Sequence, residues 1–256
     1  MNKIREKTNS KTNEIFFDEV SSFYDGMIDF QNSLTRRGEL LKSLIDKNIT
    51  TVADLGCGTG IDSIALAKMG LIVTAFDQSS GMISRAKQNA ISESVQIQFE
   101  KSSLNAISRK FALKFDMTLS LGNTLANLEP AKLKTAINTA YLLLKDKGKL
   151  VIQLLNYYAI LKKQERVISI TRKNDFTFVR FYDFYPKFLN FNILTYNTEK
   201  PAEKNLYTTK VYPYRLEDLE AMIKSAGFRK VKSFGGLSLN KYVKTLSGDL
   251  VIVAEK

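Results

Sequence analysis

The chain has 256 residues, 44% of them hydrophobic, enough for one α/β domain with a buried core and a small cap, and its formal net charge is +12. It contains no histidine and a single cysteine, which excludes an intramolecular disulfide, an imidazole base and a zinc site of cysteines and histidines, and no metal is expected. No apolar run reaches membrane-spanning length and residues 1–13 lack an apolar h-region, so a cytoplasmic protein with a basic flexible tail is expected.

The first pattern is helical. Phe16, Phe17, Val20, Phe23, Tyr24, Met27 and Phe30 recur at three- and four-residue steps, and Leu40, Leu41, Leu44 and Ile45 continue them in a second helix. Residues 52–55 read as a strand and 62–69 as a helix ended by Gly70. Residues 71–76 read as a second strand, and Ser79-Ser80-Gly81 caps a helix running to about Ala90. Strands follow at 95–99 and 115–119, a helix at 131–144 and a fifth strand at 149–155. This alternation predicts a parallel sheet covered on both faces. After Asn156 the rhythm changes to four strands at 167–171, 176–184, 188–196 and 206–212, an antiparallel insertion. A helix at 216–226 and strands at 231–234 and 250–254 complete the chain.

The chemistry concentrates where the first strand ends. Asp54-Leu55-Gly56-Cys57-Gly58-Thr59-Gly60 joins that strand to a helix, and Asp77 closes the second strand. Glycines let the backbone turn sharply and approach a ligand, and the helix start offers free N–H groups. An acid at the end of the second strand is placed to hold both hydroxyls of a ribose. A dinucleotide would call for Gly-x-Gly-x-x-Gly instead, with the third glycine further into the helix. After the fourth strand, Gly122 permits close approach, and Asn123 and Thr124 offer donors and acceptors where open α/β sheets bind ligands. Cys57 reads as a small residue fitting a tight turn rather than a nucleophile.

With an acid two residues before the first glycine, this motif resembles motif I of the class I S-adenosylmethionine-dependent methyltransferases. The resemblance implies a Rossmann-like seven-stranded α/β sheet with helices on both faces, N-terminal helices and an antiparallel β insertion after strand 5. It also implies S-adenosylmethionine as cofactor. Asp54, Gly56, Cys57, Gly58, Gly60 and Gln78 would line it, Asp77 would take the ribose, and Ser102, Ser103 and Leu104 the adenine. Tyr24 would cover the cofactor, Leu121 would touch it, and Arg36 and Arg37 are candidates for its carboxylate. Residues 14–156 and 214–256 would form the methyltransferase domain with its helical lid, and 157–213 the cap.

A closer resemblance, to glycine and sarcosine N-methyltransferases, rests on the run Leu121-Gly122-Asn123-Thr124-Leu125-Ala126-Asn127-Leu128, on Gly58-Thr59-Gly60-Ile61-Asp62-Ser63, and on Asn156-Tyr157 with Ile160-Leu161. Two departures stand out. The arginine that these enzymes carry before the Asn-Tyr pair is replaced by Leu154-Leu155, and a loop histidine by Asn127. Losing a bidentate carboxylate clamp argues against glycine and for a larger, more apolar acceptor. The reading is a methyltransferase acting on a small molecule, at an amine nitrogen rather than a hydroxyl, with Tyr24, Asn123, Tyr157 and Tyr212 as candidates at the acceptor. The alternatives are O-methylation of a small molecule and a nucleic-acid-binding methyltransferase using the basic surface. No RNA-binding signature accompanies the basic residues, so nucleic acid is not an expected partner.

Overall fold

Two sheets organise the chain. The computed structural model describes residues 5–9, 13–200 and 203–256. The larger sheet takes its strands in the order β11-β12-β6-β5-β2-β3-β4. These are β2 (Thr51–Leu55), β3 (Ile72–Asp77), β4 (Gln98–Lys101), β5 (Phe115–Ser120), β6 (Leu144–Leu155), β11 (Arg229–Phe234) and β12 (Asp249–Glu255). The pairs from β6 across to β4 are parallel, and β12 runs antiparallel to both β6 and β11. This is the seven-stranded α/β sheet that the sequence implied.

The central strands read as unbroken apolar runs because helices cover both faces. Val52, Ala53, Val73, Ala75, Met117, Leu119, Val151 and Ile152 are all buried. The helices are α3 (Ile61–Lys68), α4 (Ser80–Ser92), α5 (Pro130–Leu143) and α7 (Leu216–Ser225). Ser79 caps α4 by accepting from Met82 N at 3.0 Å, and Pro130 opens α5, where no amide donor is needed. The third strand begins later than its apolar residues suggest. Val95 N donates to Ala90 O at 3.0 Å, so Val95 closes the helix before it, with Ser94 left-handed at φ 55°.

The N-terminal segment forms α1 (Asn13–Ile28) and α2 (Phe30–Leu41), broken at Asp29 with φ 51°. Two acids pin α1 along α4. Asp18 accepts from Ser79 Oγ at 2.6 Å and from Gly81 N at 2.8 Å, and Asp25 accepts from Asn89 Nδ2 at 2.9 Å and from Arg85 Nε. A Cβ on Gly81 would lie 2.4 Å from Ser21 Oγ, so this glycine is what lets the two helices approach.

After β6 come α6 (Tyr157–Lys163), which the sequence pattern missed, and four antiparallel strands: β7 (Val167–Lys173), β8 (Phe176–Phe184), β9 (Leu189–Asn197) and β10 (Lys204–Val211). Residues 1–4 and 10–12 of the expected tail lie outside the described residues. Residues 5–9 between them depart from that expectation: β1 (Arg5–Asn9) pairs in parallel with β10, because an edge strand offers unpaired backbone groups to any extended neighbour. One face of this smaller sheet packs on α1, with Phe178, Ile193 and Tyr207 against Phe16, Val20 and Met27. Tyr182, Leu189 and Val211 join the core of the larger domain. Among the described residues, no helix is long and apolar enough to cross a membrane.

A cleft of about 590 Å³ lies at the amino ends of β5 and β6, away from the glycine loop. Six of its charged residues are matched in pairs: Lys145 to Asp116 at 2.7 Å, Lys149 to Asp46 at 3.2 Å and Lys230 to Glu255 at 2.9 Å.

Candidate active site

The glycine loop is held by the end of β3. Gly56 N and Cys57 N donate to Phe76 O at 2.7 and 3.0 Å. Asp77 accepts from Gly58 N on one carboxylate oxygen and from Ser79 N on the other, each at 2.9 Å. Burial pushes the Asp77 carboxyl up, and those N–H groups pull it back. A carboxylate has about four acceptor sites, so the acid can still accept a hydroxyl donor. Gly56, Gly58 and Gly60 have φ of 85°, 54° and 91°, the left-handed region that other residues enter at a cost. A Cβ on Gly56 would lie 2.2 Å from Thr124 Cγ2, so this glycine serves the contact between two loops. Cβ atoms on Gly58 and on Gly122 would meet nothing within 4 Å. These two glycines therefore line open space at the ends of neighbouring strands. A backbone cradle beside a carboxylate fits the ribose and amino-acid part of S-adenosylmethionine.

Beneath the loop, Asp54 is buried and accepts from Ser63 Oγ on α3. Burial pushes its carboxyl up to about 7; Asp62 adds to that, and Ser63 and Arg37 oppose it. Arg37 on α2 grips Asp62 as a fork, with Nη2 to Oδ2 at 2.7 Å. Burial works against the Arg37 charge, but Asp62 raises its pKa overall. Burial also drives the Cys57 thiol well up, in keeping with a packing role.

The loop after β5 meets the start of α6. Gly122 N donates to Gln153 Oε1 at 2.6 Å. Asn123, left-handed at φ 69°, accepts from Leu155 N at 3.1 Å and donates through Nδ2 to the Tyr157 hydroxyl at 2.8 Å. Tyr157 is hydrogen-bonded in turn to Tyr182 on the cap. Burial raises Tyr157 well above the usual phenol range and pushes Tyr182 up to about 12, so both stay protonated at neutral pH. Tyr24 on α1 is also raised, first by burial and then by Asp77 and Asp25, against an opposing effect of Arg180.

Of the residues singled out in the sequence, the structure thus brings Gly56, Gly58 and Asp77 to one loop contact, and Asn123 and Tyr157 to one hydrogen-bonded line. Electrostatic proximity to Asp77 places Tyr24 beside the cradle. Gln78 follows Asp77 and its N–H supports that carboxylate. Ser102 N donates to Asp77 O at 2.8 Å, which holds the Ser102-Ser103 pair near the same end of the sheet. Leu104 and Leu121 are turned into the apolar core. Tyr212 is tied elsewhere: its N–H donates to Ala126 O at 2.7 Å and its ring stacks on Tyr214 at 6.3 Å. Its hydroxyl has no bond to the Tyr157–Tyr182 pair among the described residues. Sequence reasoning missed Tyr182, Gln153, Arg180 and Asp249, a carboxyl raised by burial and bonded to Gln153.

Comparison with known proteins agrees with this geometry. Residues 52–148 match the family described as "Methyltransferase domain". The chain is 25% identical over 224 residues to a carboxy-S-adenosyl-L-methionine synthase of Nautilia profundicola, covering 85% of this chain and 87% of that protein. It is 25% identical over 218 residues to a glycine/sarcosine N-methyltransferase of Aphanothece halophytica, covering 83% of this chain and 79% of that one. The fold is similar to that of an S-adenosylmethionine-dependent methyltransferase from Clostridium acetobutylicum, with a TM-score of 0.78 at 16% identity over 93% of this chain and 98% of the other. With the acid-glycine loop, Asp77 at the end of β3 and the seven-stranded sheet in place, these matches support a class I S-adenosylmethionine-dependent methyltransferase.

Proposed function

We propose that the chain methylates an amine nitrogen of a small-molecule acceptor held between the loop after β5, the start of α6 and the cap. S-adenosylmethionine supplies the activated methyl group when bound. The part of the protein is to bind, aim and keep water out, and such positioning is worth up to roughly 7–11 kcal/mol of barrier. Asp77, Gly58 and the Ser102-Ser103 pair are the residues for the cofactor, and Tyr24 covers it from α1.

The observation that carries the nitrogen assignment is the line Asn123–Tyr157–Tyr182. Its hydroxyls are held protonated, which makes them hydrogen-bond donors and orienting groups rather than bases. A neutral amine presents its own lone pair and releases its proton to water afterwards, whereas a hydroxyl acceptor more often needs a base. The name of the Aphanothece halophytica relative, an N-methyltransferase, points the same way.

The test starts with calorimetric titration of S-adenosylmethionine into wild type and Asp77→Ala. Saturable binding that is lost in the variant is expected. The second stage measures S-adenosylhomocysteine release over matched pairs of small amines and alcohols. Turnover confined to the amines supports nitrogen. Turnover confined to the alcohols overturns it, and a folded wild type that does not bind the cofactor removes the whole reading.

A further inference from the structure

Arg180 is a cation that the fold points inward and leaves without an acid. On β8, Phe178, Arg180 and Tyr182 alternate onto one face, and both aromatics are buried. The register with β9 sets Arg180 opposite Ile193, which is 0% exposed. The side chain therefore stands on the face that packs on α1 and on the larger domain, between the aromatic cluster of Phe178 and the Tyr182–Tyr157 pair.

Its hydrogen bonding is thin for such a position. Nε donates to Ser169 Oγ, its cross-strand partner on β7, at 2.7 Å. Arg180 is half-buried; a guanidinium has five N–H donors, and taking a charge out of water is costly unless it is paired. The nearest acid along the strand, Asp183, points to the other face, where Arg166 and Asn192 occupy both of its oxygens. Among the described residues, no carboxylate forms an ion pair with Arg180. The guanidinium is near enough to Tyr24 and to Tyr182 to act on both electrostatically. It thus lies between the residue that covers the cofactor and the tyrosine line at the acceptor. The other inward arginine, Arg37, is already committed to Asp62.

We infer that Arg180 is the specificity-determining residue for the acceptor, binding an oxyanion carried by the same molecule as the methylated nitrogen. This inference rests on the proposed amine methylation at the same site. The fork geometry of a guanidinium suits a carboxylate or a phosphate group, and the two share this chemistry. The cap thereby supplies, from a strand, the anion recognition that Leu154-Leu155 cannot supply from the end of β6. An acceptor with an oxyanion at one end and a nitrogen at the other would be fixed at two points, Arg180 and the Asn123–Tyr157–Tyr182 line.

The test uses the full chain saturated with S-adenosylhomocysteine and two probes, benzoate and inorganic phosphate. Binding is read from the Arg180 Nε–H resonance and from calorimetry, in wild type, Arg180→Lys and Arg180→Gln. Saturable binding that weakens roughly tenfold to a hundredfold in Arg180→Gln, and less in Arg180→Lys, is the expected result. Saturation by benzoate alone assigns a carboxylate; saturation by phosphate alone assigns a phosphate ester. Absence of saturable binding by either probe overturns the inference, as does binding that Arg180→Gln leaves unchanged. A loss of S-adenosylhomocysteine affinity of about tenfold or more in a folded Arg180→Gln also overturns it, because the guanidinium would then serve the cofactor. Failure of the wild type to bind S-adenosylhomocysteine would instead remove the underlying methyltransferase reading, so the two failures are told apart.

Discussion

Gly56 and Gly58 look equivalent in the sequence, and the structure predicts opposite phenotypes for their alanine variants. At Gly56 an added Cβ lies 2.2 Å from Thr124 Cγ2, and the backbone sits at φ 85°. An L-residue in the left-handed region costs about 1–2 kcal/mol. Thr124 must also turn away, giving up bonds from Oγ1 to Gly56 O at 3.2 Å and to Leu121 O at 2.9 Å. The single Oγ1–H is shared between these two carbonyls, so together they contribute about 0.5–1.5 kcal/mol. Gly56→Ala should therefore destabilise by about 1.5–3.5 kcal/mol in urea unfolding. Thr124→Ser removes the clashing methyl and keeps the hydroxyl, so the double variant should recover about 0.5–1.5 kcal/mol of that loss. At Gly58 the added Cβ meets nothing, so Gly58→Ala should cost only about 1–2 kcal/mol for its φ of 54°. Its methyl would occupy the cradle, however, and S-adenosylmethionine affinity should fall about tenfold or more. A neutral Gly56→Ala, an absence of rescue by Thr124→Ser, or wild-type cofactor affinity in Gly58→Ala would each overturn these assignments.

Three further outcomes are expected. Tyr157→Phe leaves the Asn123 Nδ2 donor unpaired and Tyr182→Phe leaves the buried Tyr157 hydroxyl unpaired, so each should cost about 1–3 kcal/mol; an unchanged urea midpoint in either variant would contradict the assigned bonding. The Asp54 carboxyl titrates at about 7 in the folded chain, against 3.8 for an unperturbed aspartate. The folded state thus holds more protons between those values, and the Asp54 contribution to stability falls as pH rises through that window. Asp54→Asn should flatten this slope in urea unfolding followed from about pH 4 to 8, and an unchanged slope would show that Asp54 is ionised throughout. In Gly81→Ala, the new Cβ, 2.4 Å from Ser21 Oγ and 3.2 Å from Asp18 O, should lift α1 and speed its amide exchange by about tenfold or more. Exchange unchanged in α1 would mean that the Asp18 and Asp25 bonds do not hold it.

What could be read from the sequence was local. The acid-glycine loop, Asp77 seventeen residues after Gly60, and Asn123 two residues after Leu121 are short-range patterns, and short-range geometry alone sets their positions at strand ends. The apolar runs at β2, β3, β5 and β6 were legible for the same reason. Arg180, Tyr182 and Gln153 were not. Their roles depend on which face of a strand meets the larger domain, and a register shift of one residue would have turned Arg180 to the opposite face with Val179 or Phe181 in its place. In the sequence, Arg180 was one of 38 basic residues; in the fold, the buried Ile193 opposite it gives it meaning. Val95 shows the reverse error: its alternation suited a strand, but the amide it contributes to the end of α4 took precedence.

The way α1 and the cap are joined constrains how an acceptor reaches the site. α1 is fixed to α4 by Asp18 and Asp25, and its Phe23 stacks on Phe178 of β8 at 5.5 Å and packs on Tyr207 of β10 at 5.3 Å. The cap is fixed to the larger domain by Tyr182 and by its covalent joint through α6. Opening at α1 alone would expose Phe16 and Val20, each 0% exposed, and would break the bonds to both acids. Fully burying one such side chain is worth about 1.5–3 kcal/mol, so separating α1 from the cap is costly. The stacked pair Phe23–Phe178 is one of the contacts that hold α1 to the cap. Phe23→Ala should loosen both, whereas a change at the far edge strand β7 should loosen neither.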